Sequence, residues 1–328
     1  MEYIKSLPLD IIEINICNKK LSILPDLSRF TRLQKLDCSD NQITQLDNLP
    51  SSLQELNCSG DQIIQLDNLP SYLQVLNCSN NQITQLDNLP FSLQKMDCSY
   101  NQITQLDNLP SLQILYCYRN QITQLDNLPP SLKKINCSNN QITQLDNLPS
   151  SLLKIGCYNN QIAQLDNLPS SLQKLYCSRN QIMRLNKLPP SLQELDCSDN
   201  QIAQLDNLPS SLLKIYCSHN QIVQLDNLSS SLQILDCSHN QIVQLDNLPL
   251  SLRELNCYGN KMENNNLEYW KEQTKNKKLK LLKEKFFIRK IQKQWRKYWY
   301  DFYRYEIING QNIGFCRFIE KSYLYYNQ

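Results

Sequence analysis

The sequence predicts a solenoid of short stacked repeats, with a parallel β-sheet along a concave face and extended, polyproline-II-like chain along the convex one. Three observations carry this. A 20-residue unit, Leu-x-x-Leu-x-Cys-Ser-x-Asn-Gln-Ile-x-Gln-Leu-Asp-Asn-Leu-Pro-x-Ser, recurs from Leu33 to Met262 of the 328-residue chain. A fixed period of that length marks an array in which each unit touches only its neighbours. The first half of the unit alternates apolar and polar residues, the period of a strand with one buried face. The second half is too short for a helix and ends in Leu-Pro, which holds the chain extended.

Residues 1–10 precede the array and are expected to cap it, because an end repeat leaves one apolar face open. The first unit is irregular: 22 residues from Ile11, with Ile16 in the strand and Cys17 displaced. Twelve units follow from Leu33, making thirteen over residues 11–262; the fifth, Leu93 to Ser111, is one residue short. Within Leu53 to Ile63, Leu56 and Cys58 are expected to point inward, and Glu55, Asn57 and Ser59 outward onto the concave face. The ninth position is Asn in nearly every unit from Asn41 to Asn260, with Asp61 the exception. A carboxamide there can bond the backbone of adjacent units and form a ladder.

Twelve of the fourteen cysteines, from Cys38 to Cys257, occupy one inward strand position. A small hydrophobe with a weak S–H donor suits a packed column. In-register side chains point the same way, so the expected state is free thiols in a reducing compartment. No apolar run approaches the ~18 residues of a membrane span, and residues 1–10 do not resemble a signal peptide. The expectation is a soluble, intracellular, cytoplasmic protein.

The stretch Leu-Pro-x-Ser-Leu-x-x-Leu-x-Cys-x-x-Asn-x-Ile, as at Leu208 to Ile222, resembles the short leucine-rich repeats of bacterial type III effectors. It is also similar to the Cys- and Asn-rich leucine-rich repeat proteins of amoeba-infecting giant viruses. The resemblance implies a horseshoe solenoid and a scaffold that binds host proteins. Some effectors of that class add a ubiquitin-ligase domain with a Cys-x-Asp motif; here the 66 residues after Met262 are too few, and Cys316 lies in Gly-Phe-Cys-Arg-Phe without the acid. Nor does the chain show a phosphate loop or a nucleophile–base pairing. It is expected to be non-catalytic and to need no cofactor.

Since packing fixes the framework, information about a partner must lie where the repeats differ on their outward strand face. Repeats six to nine place Tyr116, Tyr118, Arg119, Lys133, Lys134, Lys154, Tyr158, Lys174, Tyr176 and Arg179 there, with no acid among them, between acidic shoulders. Tyrosine and arginine are frequent interface anchors. The expected partner is a protein with an acidic surface, against the plainer account that Lys and Tyr are ordinary outward strand residues. Single-stranded nucleic acid, held by phosphate pairing and stacking on tyrosine, is the alternative; the acidic shoulders disfavour a long polyanion.

Ten convex aspartates in register, from Asp47 to Asp246, could be read as a calcium ladder, but an Asp-Asn pair is well suited to a tight bend by bonding its own backbone. His219 and His239 share one position and, with Asp199, offer zinc-like ligands; descent from one duplicated codon is the simpler account, and no metal site is assigned. Residues 263–328 hold 15 Lys/Arg against 7 Asp/Glu, and all three tryptophans. Leu281, Ile288, Ile291, Trp295, Tyr298 and Phe302 predict a basic amphipathic helix. Its expected role is the C-terminal cap. Ile291 to Arg296 also resembles the first half of an IQ motif, which implies a calmodulin-like partner.

Overall fold

The computed structural model describes residues 2–262 apart from 186, 226, 227, 246 and 247. One strand comes from each repeat: β1 (Glu13–Asn15), β2 (Lys35–Asp37), β3 (Glu55–Asn57), β4 (Val75–Asn77), β5 (Lys95–Asp97), β6 (Ile114–Tyr116), β7 (Lys134–Asn136), β8 (Lys154–Gly156), β9 (Lys174–Tyr176), β10 (Glu194–Asp196), β11 (Lys214–Tyr216), β12 (Ile234–Asp236) and β13 (Glu254–Asn256). They form a single parallel sheet in sequence order. Every pairing is in register, Leu56 opposite Leu76 and Ile135 opposite Ile155, for example. The 22-residue first unit and the short fifth unit keep that register. The missing residue of the fifth unit falls in the bend before β6, where the N–H of Leu112 reaches Pro110 O; in the other regular bends the span is one residue longer, as from Leu53 to Pro50.

Strands are only three residues long because each repeat turns at both ends. The middle residue of every strand is buried, and the two flanking residues face outward. Leu53, Leu56, Cys58, Ile63 and Leu66 show how one unit fills the core. Burial of each large side chain is worth about 1.5–3 kcal/mol, and it exists only while neighbours cover both faces of the unit.

Three polar ladders run beside this core. The Asn81 amide donates to Cys58 O (2.9 Å) and Cys78 O (3.1 Å), while its oxygen accepts the Ile63 N–H (2.9 Å). The same set recurs at Asn101, Asn120, Asn140 and onward to Asn260. The cysteine thiols form a second ladder, Cys58 Sγ–H donating to Asn77 O at 3.4 Å. A third was not anticipated: the serine before the first Leu caps the preceding repeat, Ser52 Oγ–H donating to Leu33 O (2.7 Å) and Ser171 Oγ–H to Leu152 O (2.7 Å).

Two columns of residues adopt positive φ. In the convex bend it is the Asn of Asp-Asn, from Asn48 (58°) to Asn207 (54°), with Lys187 (47°) in the ninth repeat. Asparagine tolerates this left-handed region, which accounts for the Asn of the Asp-Asn pair. Asp226 and Asp246 lie outside the described residues. At the start of the array, α1 (Glu2–Ser6) places Ile4 in the core, and Arg29 donates to Ile4 O (2.7 Å) and Lys5 O (3.0 Å). The tail helix expected over Leu281 to Phe302 and its role as a cap lie outside the described residues.

Candidate partner-binding surface

Parallel registry turns sequence differences into columns on the outward sheet face. The first strand position stacks Lys134, Lys154 and Lys174 on adjacent strands, spaced by about 4.8 Å. Like charges set directly opposite are destabilising. The structure relieves only one of them: Lys174 Nζ lies 3.0 Å from Glu194. Arg179 likewise approaches Asp199 at 3.7 Å. Thus the acidic shoulder reaches back into the ninth repeat, and the unopposed positive charge is narrower than the sequence pattern suggests. Among the described residues Arg119, Lys133, Lys134 and Lys154 form no ion pair with a carboxylate.

The third strand position carries Tyr116, Asn136, Gly156, Tyr176 and Asp196 in succession. Where Gly156 omits a side chain, the face opens into a hollow of about 380 Å³ lined by Tyr116, Lys134, Asn136, Ser138, Lys154, Tyr158, Tyr176 and Asp196. Five of the ten sequence-selected residues therefore meet at one hollow. Lys154 Nζ also lies 4.9 Å from the ring centre of Tyr176, a cation–π geometry. Burial, then a bond to Glu194, pushes the Tyr176 phenol up to about 12. Burial acts against the Glu194 carboxylate, but bonds from Lys174 and Tyr176 outweigh it and hold that group below its usual range.

Tyr118 and Arg119 belong to a second cluster beside the hollow, built with Tyr100, which the charge pattern of the sequence does not single out. Tyr118 meets Tyr100 edge-on at 5.0 Å, and the Arg119 guanidinium lies 4.8 Å from the Tyr100 ring centre. Lys133 is exposed just before β7 and lines neither cluster. Tyr100 (53°), Arg119 (54°) and Arg179 (53°) all take positive φ at the turn position where other repeats have Asn, Asp, His or Gly. A bulky residue in that region is strained by about 1–2 kcal/mol, so these three are retained against a local cost. Sequence alone could have flagged Tyr100 and Gly156 by aligning every repeat on its cysteine and reading down the columns.

The remaining candidates do not converge. His219 and His239 stack with ring centres 4.3 Å apart and planes 11° from parallel, so their in-plane lone pairs run side by side instead of meeting at one point. No group of three or more His, Cys, Asp or Glu suited to a metal occurs among the described residues, and no helix among them is long and apolar enough to cross a membrane. Every described cysteine is a free thiol. Burial, above all, raises the ladder thiols, Cys137 to about 12 and Cys257 to about 11, which makes them poor nucleophiles.

Family models for leucine-rich repeats match residues 32–56, 92–130 and 170–210. Among solved structures, YopM from Yersinia enterocolitica is 34% identical with a TM-score of 0.74; the match covers 79% of this chain and 58% of that one. YopM from Yersinia pestis, described as a leucine-rich effector protein, is 33% identical with a TM-score of 0.67, covering 76% of this chain and 78% of that one. The functional domain of InlJ from Listeria monocytogenes, described as including a cysteine ladder, is 28% identical with a TM-score of 0.58, covering 73% and 61%. A search of curated proteins finds no match. With the register, the Asn ladder and these similarities in agreement, the chain belongs to the leucine-rich repeat family.

Proposed function

We propose that this protein is a non-catalytic interaction scaffold that docks an acidic protein surface on the outward face of β6 to β9. Leucine-rich repeat arrays present extended surfaces for protein partners. The observation that carries the reading here is the pair Lys134 and Lys154, stacked in register with no carboxylate partner beside tyrosine walls. Such a pair repels itself in the free protein, and an acidic partner removes that cost on binding. Two unpaired lysines also limit how long a polyanion could lie there, which ranks single-stranded nucleic acid second. Free buried thiols support a reducing, intracellular setting, and the resemblance to giant-virus proteins extends this to a host cytoplasm. A calmodulin-like partner for Ile291 to Arg296 rests on that motif alone.

A photo-crosslinking residue placed at Tyr158 should trap a protein partner in cells. The same residue at Phe91, which is 95% exposed and outside the strand columns, should not. Lys134→Glu with Lys154→Glu should abolish the Tyr158 crosslink. Crosslinks from Phe91 only, or insensitivity to charge reversal, would remove the surface from consideration.

A further inference from the structure

We infer that the hollow over Gly156 is a socket for one aspartate or glutamate side chain of the partner; this deepens the docking reading above and rests on it. Glycine inside a strand sacrifices packing and chain entropy, and it commonly marks close approach of a ligand or another backbone. Backbone geometry does not demand glycine here. Gly60 and Gly259 sit at φ of 72°, whereas Gly156 lies outside the left-handed region. The other strands fill the same position with Asp, Asn or Tyr, from Asp37 to Asn256. Glycine stands at this position in one of the thirteen strands alone, and it falls within the lysine-bearing stretch.

The chemistry around it suits a carboxylate. Lys134 and Lys154 lie along one side without ion pairs, Tyr116, Tyr158 and Tyr176 provide aromatic walls, and Asp196 marks the far limit where an acid is repelled. Beneath lies an independent feature. The Ser138 hydroxyl is fully buried and has no hydrogen-bond partner. In four comparable repeats this serine donates to the strand residue two before it, as Ser59 does to Asn57 at 2.9 Å; Ser99 is unpartnered like Ser138, but no glycine opens the face beside it. Ser138 Oγ lies 3.7 Å from the point a Gly156 Cβ would occupy. Asn136 Oδ1, an acceptor, is nearer that point at 3.2 Å, so an incoming oxygen must enter on the Ser138 side to accept the orphaned proton; an unpaired buried hydroxyl is costly enough to favour such an occupant. A single carboxylate can take two ammonium groups and one hydroxyl of the hollow as donors.

The test uses the full chain and a displayed library of random 12-residue peptides, panned in parallel on the native protein and on Gly156→Asn. Asparagine is the residue of the adjacent β7, and the added Cβ asks only that the Asn136 side chain, 3.2 Å away, shift slightly, so this variant should fold while filling the socket. Peptides enriched on the native protein should contain Asp or Glu, weaken with salt, and bind at least tenfold more weakly to Gly156→Asn and to Lys134→Glu/Lys154→Glu. Should Gly156→Asn unfold, Ser138→Ala provides the independent measurement. A purely structural serine predicts unchanged binding and equal or higher thermal stability; the socket predicts binding reduced about threefold to tenfold with stability not lowered. Acidic peptides that ignore Gly156→Asn and Ser138→Ala but lose binding to the lysine double variant would overturn the socket and leave the docking surface standing. Insensitivity to all variants, enrichment of non-acidic peptides, or binding of oligo-dT in place of peptide would overturn both.

Discussion

Asp61 is the one acid in the asparagine ladder, and replacing it with asparagine should stabilise the protein in a pH-dependent way. Its Oδ1 accepts the Ile43 N–H at 2.9 Å, as the ladder asparagines do, but its Oδ2 is buried without a partner. At the equivalent place an asparagine directs its NH₂ at the carbonyls of two successive cysteines. An ionised Asp61 thus turns an acceptor toward the Cys38 and Cys58 carbonyls, with Asp40 adding repulsion; a protonated one donates. Burial, the largest influence, and Asp40 raise the carboxyl from 3.8 to about 6, against bonds from the Ile43 and Asn41 backbone N–H groups that lower it. The folded state therefore holds this proton more tightly than the unfolded chain. The associated stability is complete below about pH 4, is lost as pH rises through about 6, and stays lost above it. A proton held that much more tightly is worth at most about 3 kcal/mol, and less once screening by nearby solvent is allowed for. Urea unfolding of native and Asp61→Asn protein should give nearly equal stabilities at pH 4 and a gap of about 1–3 kcal/mol in favour of Asp61→Asn at pH 7.5. Because other carboxylates titrate equally in both proteins, the difference isolates this site. A gap independent of pH, or a variant less stable at pH 7.5, would refute the reasoning.

Other consequences follow from the ladders and the strained turn. Asn140→Leu removes donors to Cys117 O and Cys137 O and the acceptor for Ile122 N–H, and should cost about 2–4 kcal/mol, read as a lowered urea midpoint with faster amide exchange around Ile122. Thiol titration of the native protein should find Cys17, which is half-buried, well ahead of the twelve ladder cysteines; under denaturing, non-reducing conditions all fourteen should react. Arg119→Gly relieves a φ of 54° and should raise stability by about 1 kcal/mol while weakening capture of an acidic partner, a pair of opposite effects measurable by thermal unfolding and crosslinking from Tyr158.

The framework was legible because one rule, repeated, leaves little to context. A period of 20 residues with Leu56 and Cys58 inward requires parallel in-register strands, since any slip would set a polar residue such as Asn57 into the core. The asparagine ladder was equally legible, because a buried polar residue at a constant position must bond the backbone. The serine ladder was missed for a local reason: Ser52 sits close to proline in what reads as an ordinary bend, and its bond to Leu33 O appears only when the preceding repeat is stacked against it.

The binding surface was legible in composition and not in pairing. Counting charges at the outward strand and first turn positions of repeats six to nine finds no acid, yet the relevant neighbours of Lys174 and Arg179 lie one repeat further on, at Glu194 and Asp199. In a parallel in-register sheet the residue one repeat away is a closer electrostatic partner than most residues within the same unit, so charge must be summed down columns. The same logic explains why Gly156 escaped notice: a missing side chain carries no charge or motif, and its meaning depends on Asn136 and Tyr176 standing on either side. Once the columns are read, the feature that separates this surface from a merely basic patch is a void bordered by unpaired lysines. A basic patch alone predicts binding that follows net charge, whereas a bordered void predicts that Gly156→Asn, which changes no charge, is as damaging as a lysine reversal. That equality is what distinguishes a socket from a patch.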